Sequence, residues 1–216
     1  MTGEIIDPRI IILKEGEIGT RPSWDEYLMA RAMETSSRSS CHQVHSGSII
    51  ANVAHEVVGS GYNGAPGRRK KNCLEVGCAV ENAGHEYGGA NLGVGDCVGI
   101  HSEKNALGHM TKLDQGILHT LYTTIFTCKY CAKDLQAYPI GRVVFKRFYD
   151  SEETEIGLRR LADVGIEVCQ LDMSPERKTD INLGRKAKKF GLWSPEQQIR
   201  ADAIRKFMLE NMPQEI

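Results

Sequence analysis

His101-Ser102-Glu103, followed after a gap of 24 residues by Cys128-Lys129-Tyr130-Cys131, gathers complementary chemistry into one stretch of chain. One imidazole and two thiols are three ligands for a tetrahedral zinc ion, which leaves a fourth position for water. Glu103, two residues beyond the histidine, supplies a carboxylate beside that water. Three protein ligands, an open position and an adjacent base describe a catalytic zinc site, whereas a structural site closes its shell with four. A Cys-x-x-Cys alone also suits a redox pair or half of a zinc knuckle. Neither accounts for the His-x-Glu ahead of it.

The elements around these residues follow from local pattern. Ile100–Thr111 carries good helix formers, with apolar residues at Ala106, Leu107 and Met110, and predicts a helix whose first turn holds His101 and Glu103. Leu118–Phe126 is rich in β-branched and aromatic residues and predicts a buried strand. Cys128 and Cys131, three apart at the start of a helix over Cys128–Ala137, share one face of it. Earlier in the chain, Ser23 caps a helix over Trp24–Thr35, with Asp25 and Glu26 in its first turn. Ser48–Val53 and Glu56–Ser60 predict a hairpin, and the glycine-rich stretch from Gly61 to Gly99 is long and irregular. After the cysteine helix come a strand over Gly141–Lys146, a helix over Glu153–Ala162 and a strand over Ile166–Leu171. Residues 1–20 read as a loosely ordered arm whose short apolar run, Ile10–Leu13, can pair with something. The tail has a basic stretch, Lys178–Lys189, and an amphipathic helix over Ser194–Met208.

Helices alternating with strands predict an α/β fold with a partly parallel sheet. Residues 21–172 form one domain, between an N-terminal arm (1–20) and a C-terminal helical extension (173–216). A hydrophobic content of 41% is ample for one core, and no apolar run approaches the roughly 20 residues of a membrane span. No signal peptide opens the chain, and an odd count of seven cysteines then points to metal and free thiols, not disulfides. The setting this implies is cytoplasmic. A net charge of −1 and 6% aromatic residues argue against a binder of nucleic-acid strands, which needs a basic, aromatic face.

From Trp24 to Leu171 the chain resembles the deoxycytidylate (dCMP) deaminases of the zinc-dependent cytidine deaminase superfamily. The resemblance is carried by Trp24-Asp25-Glu26-Tyr27, Ser39-Ser40-Cys41, Gly61-Tyr62-Asn63-Gly64-Ala65-Pro66 and Asn72-Cys73-Leu74-Glu75-Val76-Gly77-Cys78. It continues through His101 to Leu107, Thr120 to Thr124, Cys128 to Lys133 and Ala162 to Val168. Within it, the deaminase signature H-x-E then P-C-x-x-C is matched except that Thr127 stands at the proline. Ser102 replaces the usual alanine, while Phe126 matches. The resemblance implies a three-layer α/β/α fold around a five-stranded mixed sheet, a homo-oligomer (a hexamer, or a dimer), and conversion of dCMP to dUMP and ammonia.

It further implies that His101, Cys128 and Cys131 hold the zinc, and that Glu103 moves a proton from the water to ring N3 and then to the departing amine. Asn63 would meet the sugar 3′-hydroxyl, although Asn-Gly is also simply a turn dipeptide. Ser102, Phe126 and Thr127 would line the base pocket. Arg38, His42 and His45 are the candidates for the phosphate, each equally at home as a surface residue. Arg68-Arg69-Lys70-Lys71 is a solvated loop or an anion site for a regulatory nucleotide, dCTP as activator or dTTP as inhibitor, with Mg²⁺. Cys41, Cys73, Cys78 and Cys97 are candidates for a second, structural zinc, since a metal crosslink offsets the entropy of ordering a long loop. Relatives of this pattern carry such a zinc. Buried free thiols, or a shell in which His42, His45 or His85 replaces one cysteine, are the alternatives, and Cys169 is expected to be a buried free thiol. Deaminases of other free bases or nucleotides (dCTP, modified cytosine, a riboflavin-pathway pyrimidine), polynucleotide deaminases and a non-enzymatic zinc module are the competing classes. The last leaves Glu103 unexplained.

Overall fold

A computed structural model of the chain describes residues 7–84, 97–110, 117–148, 151–183 and 203. In chain order the elements are β1 (Ile10–Ile12), α1 (Trp24–Ser36), β2 (Gly47–Ala51), β3 (Val57–Tyr62), α2 (Cys73–Val76), α3 (Ala79–Asn82) and α4 (Ser102–Gly108). They continue with β4 (His119–Ile125), α5 (Lys129–Leu135), β5 (Ile140–Arg147), α6 (Ser151–Asp163), β6 (Glu167–Gln170) and α7 (Pro175–Leu183). The strands form one mixed sheet in the order β1-β6-β5-β4-β2-β3. β1, β6, β5 and β4 run parallel, and β2 pairs antiparallel with β4 on one side and with β3 on the other.

The three-layer α/β/α class is therefore as expected, but the sheet has six strands among the described residues instead of five. The sixth is β1, where Ile10, Ile11 and Ile12 pair in parallel with Val168, Cys169 and Gln170. A three-residue strand carries too short a pattern for its partner to be read from sequence. The irregular stretch after β3 is partly ordered by the two single-turn helices α2 and α3. The expected tail helix over Ser194–Met208 lies, apart from Ala203, outside the described residues, as does the second half of the basic stretch before it.

Alternation along the strands divides the core in two. Ile50, Leu121, Val143, Phe145 and Val168 face α4, α5 and α6, meeting Ala106, Leu107, Ala132, Leu135, Leu158 and Leu161. Ile49, Tyr122, Val144 and Cys169 face the other way, onto Leu28, Met29 and Ala32 of α1 and Ile181 of α7. Cys169 is a fully buried free thiol, as its strand position required. The first face needs glycine in β3. A Cβ on Gly61 would stand 2.3 Å from the Ala106 backbone nitrogen and 2.5 Å from the Ser102 carbonyl oxygen, so only glycine lets α4 sit this close.

The opposite face is fastened by charge. Ser23 and Glu26 form the capping box of α1, with the Glu26 N–H donating to Ser23 Oγ at 3.1 Å and the Ser23 N–H to Glu26 Oε2 at 2.7 Å. Glu26 also receives Arg177 of α7 through Nε at 2.6 Å and Nη2 at 3.1 Å, and the guanidinium side chain is fully buried. The remaining guanidinium donors reach the Glu17 carbonyl and Asp180, so every charge has its partner. Burial alone would raise the Glu26 carboxyl, but Arg177 and the backbone N–H groups of Gly16 and Ser23 hold it at about 2, against an ordinary 4.5.

Two outcomes follow for this pair. Arg177→Met strands a buried carboxylate and should cost about 3–5 kcal/mol in urea unfolding at pH 7. Because the folded pKa is depressed, the pair's stabilisation is complete above pH 4.5 and is lost as pH falls toward 2. Wild type should therefore lose more stability over that window than the double variant Glu26→Gln/Arg177→Met. Equal acid slopes would contradict the assignment.

Candidate active site

His101 is placed by β-structure ahead of it, and differs slightly from expectation. Ile100 bridges Gly64 across the end of β3, with N–H···O distances of 2.8 and 3.1 Å, and so delivers His101 to the end of α4. His101 is the N-cap of α4 in extended backbone, not a residue of its first turn. Its ring makes no capping hydrogen bond and turns instead toward the cysteines. Polar side chains of α4 also cover the free edge of β3. Asn105 Nδ2 donates to the Tyr62 carbonyl at 2.7 Å, and His109 Nδ1 lies 2.9 Å from the Ser60 carbonyl oxygen.

Cys128 is the N-cap of α5, immediately beyond the C-terminal end of β4, and Cys131 follows one turn in. In open α/β sheets the crevice beyond the strand C-termini is where ligands bind. His101 Nδ1 lies 3.5 Å from Cys128 Sγ and 3.4 Å from Cys131 Sγ. Bond lengths of about 2.3 Å to sulfur and 2.05 Å to nitrogen give a tetrahedral S···N edge of about 3.6 Å. The three side chains could thus hold a zinc ion with no rearrangement. No other set of three or more such ligands among the described residues is gathered within 4.8 Å.

The chemistry of the donors agrees with their spacing. The Cys131 thiol and the His101 imidazolium hydrogen-bond Cys128 and hold its thiol at about 4. The Cys128 thiolate in turn pushes His101 up to about 9 and Cys131 well above the ordinary thiol range. The protons thus shared are those a divalent cation displaces when it binds. Cys131 is buried, Cys128 half-buried and His101 at the solvent edge, so one side of the cluster is open. Beside it Glu103 is only 5% exposed, and burial raises its carboxyl above the usual range despite the nearby imidazolium.

The remaining candidates divide. Asn63 stands at the site and is already engaged: Oδ1 accepts from Ser39 Oγ (2.7 Å) and the Ser46 N–H (2.8 Å), and Nδ2 donates to the Val44 carbonyl (2.7 Å). One Nδ2 hydrogen is left. Thr127 is fully buried with its hydroxyl unpartnered among the described residues. The Phe126 ring packs in the core against Phe145 and Phe148. Arg38 is exposed, lying 6.0 Å over the Tyr62 ring, and His42 and His45 are exposed as well. Cys41, Cys73, Cys78 and Cys97 line one pocket together with Asn63 and His101, all four as free thiols. Sequence reasoning missed the hydroxyls of Ser46, Ser48, Thr123 and Thr124, which are buried behind Ser102. The only signal was a run of small hydroxyl residues inside two strands.

Residues 22–147, more than half the chain, match the family described as the cytidine and deoxycytidylate deaminase zinc-binding region, and the chain belongs to that family. It is similar to the deoxycytidylate deaminase of Saccharomyces cerevisiae, 33% identical over 156 residues, covering 72% of this chain and 47% of the yeast protein. It is also similar to the deoxycytidylate deaminase of Mycobacterium phage D29, 34% identical over 135 residues, covering 59% of this chain and 98% of the phage protein. The chain spans less than half the length of the yeast relatives it matches, 47% and, for Schizosaccharomyces pombe, 43%. The fold is that of the dCMP deaminase from cyanophage S-TIM5, solved in complex with dCMP and dUMP. The TM-score is 0.55 at 23% identity, over 70% of this chain and 99% of that one.

Cys128→Ser should lower the zinc content of the purified protein by about one ion per chain, without changing its circular dichroism. Wild-type zinc content in that variant would contradict the ligand set.

Proposed function

We propose that the chain is a deoxycytidylate deaminase, hydrolysing dCMP to dUMP and ammonia and so supplying dUMP for thymidylate synthesis. The observation that carries this reading is the meeting of His101, Cys128 and Cys131 beside a buried Glu103 in a chain of this family. The names of the yeast and phage relatives support the choice of substrate.

Zinc held by His101, Cys128 and Cys131 supplies Lewis acidity and lowers the pKa of water toward neutrality. Glu103 carries the protons. Its raised pKa brings it nearer the operating pH, where one carboxyl can serve as base and then as acid, at ring N3 and at the departing amine. Asn63 offers its remaining amide hydrogen to the sugar 3′-hydroxyl, with Ser102, Phe126 and Thr127 contributing to the wall around the base. In this reading Arg38 and His45, both exposed, meet the phosphate. Cys41, Cys73, Cys78 and Cys97 line one pocket, although no three of their sulfurs lie within 4.8 Å of one another, and in this reading they draw together around the second, structural zinc. The basic run Arg68–Lys71 receives a regulatory nucleotide, dCTP or dTTP with Mg²⁺, in a cytoplasmic homo-oligomer, a hexamer or a dimer. Seven cysteines, none of them in a disulfide, suit that reducing setting. Among the described residues no helix is long and apolar enough to cross a membrane.

Ammonia release from a panel of cytosine and adenine nucleotides tests the activity. dCMP should be the preferred substrate, and Glu103→Gln should keep its zinc while losing roughly 10²- to 10⁴-fold in turnover. Preference for another nucleotide, or near-normal turnover by the zinc-loaded variant, would contradict the reading.

Metal analysis tests the second site. Wild type should hold two zinc ions per chain. Cys73→Ser should lose about one while retaining the catalytic ion. A single zinc in wild type would remove the structural site.

A further inference from the structure

Behind Glu103 runs a chain of hydroxyls closed off from solvent. The Gly47 N–H donates to Thr124 Oγ1 at 3.1 Å, and Thr124 donates to Ser46 Oγ at 3.4 Å. Ser46 Oγ lies 2.9 Å from Ser102 Oγ, which donates to Glu103 Oε2 at 3.1 Å. A side branch comes from Ser48, whose Oγ is 2.9 Å from Ser102 Oγ and 3.1 Å from Thr123 Oγ1. Thr123 spends its own proton on the Ile125 carbonyl at 3.0 Å. Ser48, Ser102 and Thr123 are fully buried, and Ser46 and Thr124 nearly so.

The two ends of this chain give it a direction. A backbone N–H can only donate and an ionised carboxylate can only accept, while each hydroxyl between them has one proton to give. Every proton from Thr124 through Ser46 and Ser102 is therefore aligned toward Glu103, and such aligned bonds strengthen one another in a dry environment. A glutamate has three side-chain torsions, and burial alone does not choose among their rotamers. The hydrogen bond from Ser102 does choose, because it ties down Oε2 and leaves Oε1 outside that bond.

We propose that Ser102 is a positioning residue: its hydroxyl, anchored by Ser46 and Ser48, holds Oε2 of Glu103 so that the other oxygen carries the catalytic proton. This rests on the deaminase reading above. The effect is on orientation, so it belongs to turnover and not to substrate affinity. Alanine at this position removes the bond while Ser48 keeps Thr123 as acceptor, and the Ser46 hydroxyl, which loses Ser102 as acceptor, still receives the proton of Thr124.

The test is a double-mutant cycle on dCMP deamination, with zinc content measured in each variant. Ser102→Ala should lower kcat roughly ten-fold, the size expected for one hydrogen bond, and leave KM within about two-fold. In a Glu103→Gln background the same substitution should cause no further loss, which a merely structural role would not produce. Ser48→Ala, which reaches Glu103 only through Ser102, should cause a smaller loss that disappears in the Ser102→Ala background. Wild-type kcat in Ser102→Ala would overturn the proposal, as would an equal loss in the Glu103→Gln background or a loss accounted for by missing zinc. Wild-type protein inactive on every cytosine nucleotide would overturn the deaminase reading, and this proposal with it.

Discussion

Everything at the site depends on two helix starts meeting at one point. His101 and Cys128 are 27 residues apart in the chain and 3.5 Å apart in space, each as the N-cap of a seven-residue helix. Such short helices are not stable alone, so packing must fix where they begin. For α4 the fixing comes from Gly61, whose missing side chain lets the helix backbone touch β3, and from the Gly64–Ile100 bridge just before it. For α5 it comes from β4 in the middle of the sheet, which ends three residues before Cys128. A displacement of about 1 Å at either start would open the S···N edges beyond what a zinc ion spans.

What could be read in the sequence was local. The capping box Ser23–Glu26, the three-residue spacing of Cys128 and Cys131, and the β-branched run of β4 each state their structure within a turn or a strand. His101 was expected inside the first turn of its helix and stands one position outside it, because its ring serves the cysteines and not the helix end. What could not be read was long-range. β1 finds β6 across more than 150 residues, and Arg177 reaches Glu26 over 151. A basic residue in a polar helix gives no sign that it will be fully buried. Nor do Ser46, Ser48, Thr123 and Thr124 announce a hydrogen-bonded chain, since serine and threonine in strands ordinarily satisfy only themselves and water.

The two faces of the sheet treat buried charge in opposite ways. On the α1 face, Asp25 receives Tyr122 at 2.8 Å and both ends of the Arg142 guanidinium at 2.7 and 3.0 Å, while Glu26 is closed by Arg177. These carboxylates are fully paired, and such pairing fixes geometry more than it adds stability. On the α4 face, Glu103 is buried with a hydroxyl bonded to it and no salt bridge among the described residues, and burial outweighs the attraction of the nearby His101. Its carboxyl is held away from its ordinary pKa, and that is the condition a proton carrier needs. The fold closes the charges that hold it together and leaves unbalanced the one that can do chemistry.

The central claim is an open, three-ligand zinc site at the meeting of α4 and α5, and a crystal structure with anomalous data at the zinc edge tests it most directly. The account predicts a peak about 2.3 Å from the sulfurs of both Cys128 and Cys131 and about 2.05 Å from His101 Nδ1, with a non-protein atom in the fourth position. A peak closed by a fourth protein ligand, or no peak between these three side chains, would contradict it.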